Sequence, residues 1–118
     1  MFRIVIDHLP PTLNKYTNGK TNWYWKKAVK DEWLGLFQAA FIEAKLPKKL
    51  PEAISLNVTQ FCKGVVRDAD NSVIGAKFCG DSLVKLGYLK NDNQIKPIIL
   101  NTVKGKTNKM VIILAMAK

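Results

Sequence analysis

The longest periodic run in the chain, from Asn22 to Leu46, most restricts what it can fold into. Trp25, Val29, Trp33, Leu36, Ala40 and Phe41 recur three, four or one apart, which draws one broad apolar face along a helix. Asn22 is placed to cap its start, and Pro47 and Pro51 close it. The residues before it follow a different period. Phe2, Ile4 and Ile6 alternate with Arg3, Val5 and Asp7, as in a strand with one covered face. Pro10 and Pro11 end that strand, and the polar stretch Thr12 to Thr21, with Asn18-Gly19, reads as a loop. A long one-faced helix beside a one-faced strand is the first half of an alternating order of elements, from which an α+β fold is expected.

The rest of the chain extends this pattern. Ile54 to Cys62 reads as a second strand, with Ile54, Leu56, Val58 and Gln60 facing one way. A second helix is expected from Asn71 or Ser72 to Leu86, with Gly87 as its left-handed stop. Two last strands, about Ile95 to Val103 and Lys109 to Ala117, flank the turn KGKTN as a hairpin. The expected order is β-α-β-α-β-β, one mixed sheet and two helices in a single domain over residues 1–118. A chain of 118 residues, 47% apolar, can close one core without disulfides. Its longest apolar run, near Val111 to Met116, is too short to cross a bilayer, so no membrane partner is expected. The N-terminal MFRIVIDH alternates and does not resemble a signal peptide, which points to a soluble cytoplasmic protein. Cys62 and Cys79, with His8 as the one histidine, are too few for a zinc site and read as buried thiols.

Charge narrows the function. Nineteen Lys and Arg against nine Asp and Glu give a formal net charge of +10 and a pI near 9.8. Such a surplus on a small body attracts polyanions, and nucleic acid is the leading partner. After Asp92 the chain carries five lysines and no acid. Against that background the clustering of Asp68, Asp70, Asp81 and Asp92 asks for a reason.

Arg67-Asp68-Ala69-Asp70-Asn71 is the strongest candidate for chemistry. In an extended backbone, side chains two apart project to the same side, so the carboxylates of Asp68 and Asp70 would converge. Converging carboxylates repel and invite a cation, and oxygen donors suit magnesium or manganese. A helix cap or turn explains the same residues. With a helix starting near Asp70, Lys77 and Asp81 return to nearly the same side of it. An ordinary i, i+4 ion pair explains those two equally well. Asp92, in Lys90-Asn91-Asp92-Asn93-Gln94, precedes the third strand and would close a metal site if that strand lies beside the second.

The segment RDADN, then Lys77 with Asp81, then LVKLGYLKNDNQI resembles the RusA family of Holliday junction resolvases. LPPTLNK is similar to that family's proline-rich segment, with its asparagine after the first strand. The resemblance implies a RusA-like, magnesium-dependent endodeoxyribonuclease that cuts four-way DNA junctions by paired nicks as a homodimer, in DNA recombination and repair. Manganese is the second cation that oxygen donors of this kind suit, and many members of the family are encoded by phage or prophage. It implies Asp68, Asp70 and Asp92 as metal-binding carboxylates, Lys77 as the catalytic lysine, and Asn71 and Asp81 as supporting residues. Asn91 stands where the family often has a first of two acids, and the segment from Asn71 to Lys77 is three residues longer. The expected consequence is weaker or altered metal affinity.

Asn14, Lys15, Lys20, Lys26, Lys27, Lys63 and Arg67 are the expected DNA-binding residues, crowding the first loop, the start of the long helix and the flanks of the acidic motif. Two other functions remain compatible with the sequence: a non-catalytic DNA-binding accessory protein on the same fold, and a general RNA- or DNA-binding basic domain.

Overall fold

The computed structural model of the chain describes residues 1–18, 22–50 and 53–116. Strand β1 spans Phe2–Ile6 and is followed by a short helix α1, Leu13–Thr17, and the long helix α2, Trp23–Glu43. Strand β2 is Ile54–Cys62, helix α3 is Val73–Lys85, and strands β3 and β4 are Ile95–Lys104 and Lys109–Met116. The architecture is α+β, a four-stranded mixed sheet with three helices. None of the described helices is long and apolar enough to cross a membrane.

Helix α1 lies where a loop was expected. Thr12 supplies the signal, because its hydroxyl accepts from the Lys15 N–H at 3.2 Å and caps the turn. Buried Tyr16 then holds it, packing edge-on to Phe78 with ring centres 5.5 Å apart and lying 6.1 Å from Trp25. Asn22 caps α2 as expected, its Oδ1 accepting from Trp25 N–H at 2.8 Å. The expected apolar face of α2 is the one that packs, with Trp33, Phe37, Ala40 and Phe41 buried. Helix α3 ends in a Schellman motif: Gly87, at φ +86°, donates to Val84 O and Tyr88 donates to Leu83 O.

The sheet order is β1-β4-β2-β3. β4 pairs antiparallel with both β1 and β2, whereas β3 pairs parallel with β2. The expected hairpin between β3 and β4 is therefore not formed, because β2 lies between them. The connection after Lys104 steps over the end of β2, and Gly105 N–H donates to Cys62 O at 3.0 Å. A Cβ on Gly105 would fall 2.8 Å from Phe61 Cβ, so the step needs a residue without a side chain. β2, α3 and β3 form a parallel crossover unit, in which α3 carries the chain from one end of the sheet to the other.

Alternation along β2 puts Ile54, Leu56, Val58, Gln60 and Cys62 in the interior. Ile54, Leu56 and Val58 join Ile4, Ile112 and Leu114 from the sheet, Phe37 and Phe41 from α2, and Ile74, Phe78 and Leu83 from α3 in one core. Cys62 and Cys79 are free and buried.

Candidate functional site

The acidic motif lies between β2 and α3, and its backbone is not extended. Ala69 is helical at φ −59°, ψ −42°, and Asp70–Ser72 form a 3₁₀ turn. Asn71 N–H donates to Asp68 O and Ser72 N–H to Ala69 O, both at 3.1 Å. In a 3₁₀ turn, residues two apart are rotated by about 240° and do not share a side. Asp68 and Asp70 are both exposed, and the backbone that carries them is a helix approach where an extended strand was expected.

A buried polar network holds this turn in place. Gln60 is fully buried on β2, where its Nε2 donates to Ser72 O at 3.0 Å. Its Oε1 accepts from the Arg67 guanidinium at 3.1 Å, and the same guanidinium nitrogen donates to Pro10 O at 2.6 Å. Arg67, expected on the DNA, is partly buried and braces the proline-rich segment against β2. Burial pulls its pKa below the usual arginine value. Asn71, the expected supporting residue, accepts from Asn14 N–H through its Oδ1 at 3.0 Å. That bond joins α1 to the acidic turn across 57 positions of chain.

Along the exposed side of α3, Lys77 and Asp81 lie 3.7 Å apart with both side chains about half exposed. Tyr16 faces this pair. Burial raises its pKa, with Lys77 pulling the value down and Asp81 pushing it up. Asp81 also borders a shallow depression with Val84, Lys85, Lys90, Asn91 and Asp92. Asp92 opens a second 3₁₀ turn, Asp92–Gln94, immediately before β3. Asn91 caps that turn: its Oδ1 accepts from Asn93 N–H at 3.1 Å, and Gln94 Oε1 accepts from Lys90 and Asn91 N–H at 2.9 and 3.0 Å. An amide does the capping work there as well as an acid would.

β3 does lie beside β2, but the parallel register decides where Asp92 goes. Asp68 and Asp70 follow the C-terminal end of β2 and precede α3, whereas Asp92 follows α3 and precedes β3. The thirteen residues of α3 span about 20 Å. Among the described residues, no three of His, Cys, Asp or Glu gather where they could hold a metal ion. The oxygen donors have the right chemistry for magnesium, but within one chain Asp92 is not brought to Asp68 and Asp70, and the set does not fit a cage.

The basic residues surround α1 and the start of α2. Asn14 and Lys15 are exposed on α1, and the Lys15 ammonium lies 5.9 Å from the Trp25 ring centre. The Lys26 ammonium lies 5.6 Å from the ring centre of Tyr16. Lys27 is exposed and bonds Asp31 at 2.9 Å; this hydrogen bond, then the lysine's charge, holds the Asp31 carboxyl below its usual pKa. A groove between α2 and α3 carries Lys27, Lys30 and Lys85 with Asp31 and Asp81. Lys63 is exposed after β2, with Asn108 Oδ1 accepting from its N–H and the Lys104 ammonium donating to its carbonyl. Lys20 lies outside the described residues. Tyr16 and Lys85 escaped the sequence reading, and Gln60 entered it only as a strand residue. A polar amide inside a strictly alternating apolar strand is the signal that marks a buried network.

No family model matches the chain, and no curated protein is significantly similar to it.

Proposed function

We propose that the chain is a RusA-like DNA endonuclease that acts on four-way junctions as a homodimer. The observation that carries this reading is the hydrogen bond from Asn14 N–H to Asn71 Oδ1. It joins in space the two segments, LPPTLNK and RDADN, whose resemblance to that family suggested the function, and it sets them amid the lysines of α1 and α2. A net charge of +10 supplies the attraction for a phosphate backbone.

Hydrolysis of a phosphodiester needs water directed at phosphorus, charge for the extra negative oxygen, and help for the departing 3′ oxygen. Lys77 is exposed and cationic beside Asp81, and suits the second task. The separation of Asp92 from Asp68 and Asp70 gives the homodimer a chemical purpose. A two-fold axis that sets two α3 helices antiparallel would bring Asp92 of one copy beside Asp68 and Asp70 of the other, and magnesium is the cation such a set suits.

The test is cleavage of a labelled synthetic junction with and without magnesium. Wild-type protein should give paired nicks, while Asp70→Asn should bind the junction and leave it intact. Mixing Asp70→Asn with Asp92→Asn should restore single nicks, since each mixed dimer would own one complete shared site. A site built within one chain would stay dead in that mixture. Wild-type rates from Asp70→Asn would overturn the endonuclease assignment.

Among the described residues no three acids gather, which favours a second reading, a non-catalytic junction-binding protein. It predicts preference for junction over duplex with no cleavage at any magnesium concentration. Equal affinity for junction, duplex and single strand would instead indicate a general basic nucleic-acid binder.

A further inference from the structure

Three consecutive aromatics open α2, and the structure divides them. Trp25 turns inward and packs toward Tyr16, whereas Trp23 and Tyr24 are 65% and 77% exposed. Two large rings left in water at adjacent positions forgo the burial that ordinarily fixes such side chains. They are not splayed apart at random. Their centres lie 5.1 Å apart and their planes meet at 78°, an edge-to-face pair that holds both rings as one unit. Asn22 fixes the first turn beneath them by accepting from Trp25 N–H.

The chemistry around the pair selects its occupant. Lys26 and Lys27 follow directly, Lys15 reaches the face of Trp25, and Lys30 lies one turn further on. The first turn of α2 carries no acid, and the first acids along the helix are Asp31 and Glu32. Exposed rings on a helix start rich in lysine suit a ligand that offers flat π-faces and anionic links together, which describes unpaired nucleotides. The pair also connects to the acidic turn through α1: Trp25 packs on Tyr16, and two residues before it Asn14 bonds Asn71.

We infer that Trp23 and Tyr24 form a stacking platform for unpaired bases at the branch point of a DNA junction. This rests on the DNA reading above and adds to it the part of the protein that would distinguish a branched substrate from continuous duplex. Lysines near the platform would hold any phosphate chain, whereas stacking rewards only bases freed from their own stack.

The experiment compares wild type, Trp23→Ala/Tyr24→Ala and Trp23→Phe/Tyr24→Phe for binding to a four-way junction, to linear duplex of equal length, and to a junction with 2-aminopurine at the branch. Circular dichroism and sedimentation report fold and oligomeric state. The alanine pair should lose about tenfold or more in junction affinity, keep its duplex affinity, and abolish the 2-aminopurine fluorescence change. The phenylalanine pair should retain most of the junction preference. Unchanged junction binding, or an equal loss on duplex, would overturn the platform while leaving the DNA reading intact. A shift from dimer to monomer in the alanine pair would overturn it in favour of a subunit contact. Failure of the wild type to bind junctions would remove the DNA reading and the platform with it.

Discussion

Replacing Gln60 by leucine tests whether the buried network under the acidic turn stabilises the fold. Gln60 is fully buried; it donates to Ser72 O at 3.0 Å and weakly to Met110 Sδ at 4.0 Å, and accepts from Arg67 at 3.1 Å. Among the described residues, no buried side-chain nitrogen or oxygen lacks a partner. Leucine leaves the Ser72 carbonyl without this donor, at about 2 kcal/mol for a buried acceptor. Arg67 keeps Pro10 O and is only partly buried, so losing the second bond costs about 1 kcal/mol. Leucine recovers about 1 kcal/mol through its more apolar surface. The net loss of about 2 kcal/mol should move the urea midpoint down by roughly 1.5 M for a domain of this size. Urea unfolding followed by tryptophan fluorescence reads it directly. Arg67→Met and the double variant complete a cycle, whose coupling should be about 1 kcal/mol. A midpoint unchanged in Gln60→Leu, or strict additivity in the double variant, would refute the claim that this network secures the turn.

Gly105→Ala should lower the melting temperature, because the new methyl would meet Phe61 Cβ at 2.8 Å and Thr107 O at 3.3 Å. A loss of about 1–3 kcal/mol is expected, and an unchanged melting curve would contradict the close step over β2. Burial raises the pKa of Tyr16 from 10.0, so the folded state keeps a proton that the unfolded chain releases. The stability this contributes is complete below about pH 10 and falls as pH rises through the folded value. Tyr16→Phe should flatten that alkaline slope in urea melts. Ultraviolet titration should show Lys77→Met moving Tyr16 higher and Asp81→Asn moving it lower, opposite to the pull of each charge.

Periodicity carried most of the architecture. The apolar face of α2, the alternation of β1 and β2, and Gly87 as a stop are local signals, and local backbone geometry obeyed them. Pairing between strands was not legible in the same way. KGKTN says that the chain reverses, yet it does not say whether another strand lies in the gap, and β2 takes that place. Helix α1 is five residues long, too short for a repeat to show, and only the Thr12 cap and Tyr16 betray it. The spacing of Asp68 and Asp70 was readable, but its meaning depended on a backbone assumed to be extended. Asp and Asn ahead of a helix favour the turn that forms. Lys77 and Asp81 do lie together on α3 as their spacing predicts. Where Asp92 lies relative to the other acids is set by the direction of β3 relative to β2, a tertiary property that neither segment encodes alone.

Asn91 lets the bend ahead of β3 be separated from its electrical character. Since an amide oxygen and a carboxylate oxygen serve that capping geometry alike, a single exchange between them resets the local field and leaves the backbone path alone. Anion repulsion at this corner of the molecule is therefore adjustable by one atom's identity, a cheap dial for any lineage that must retune its affinity for cations or phosphates without rebuilding a strand.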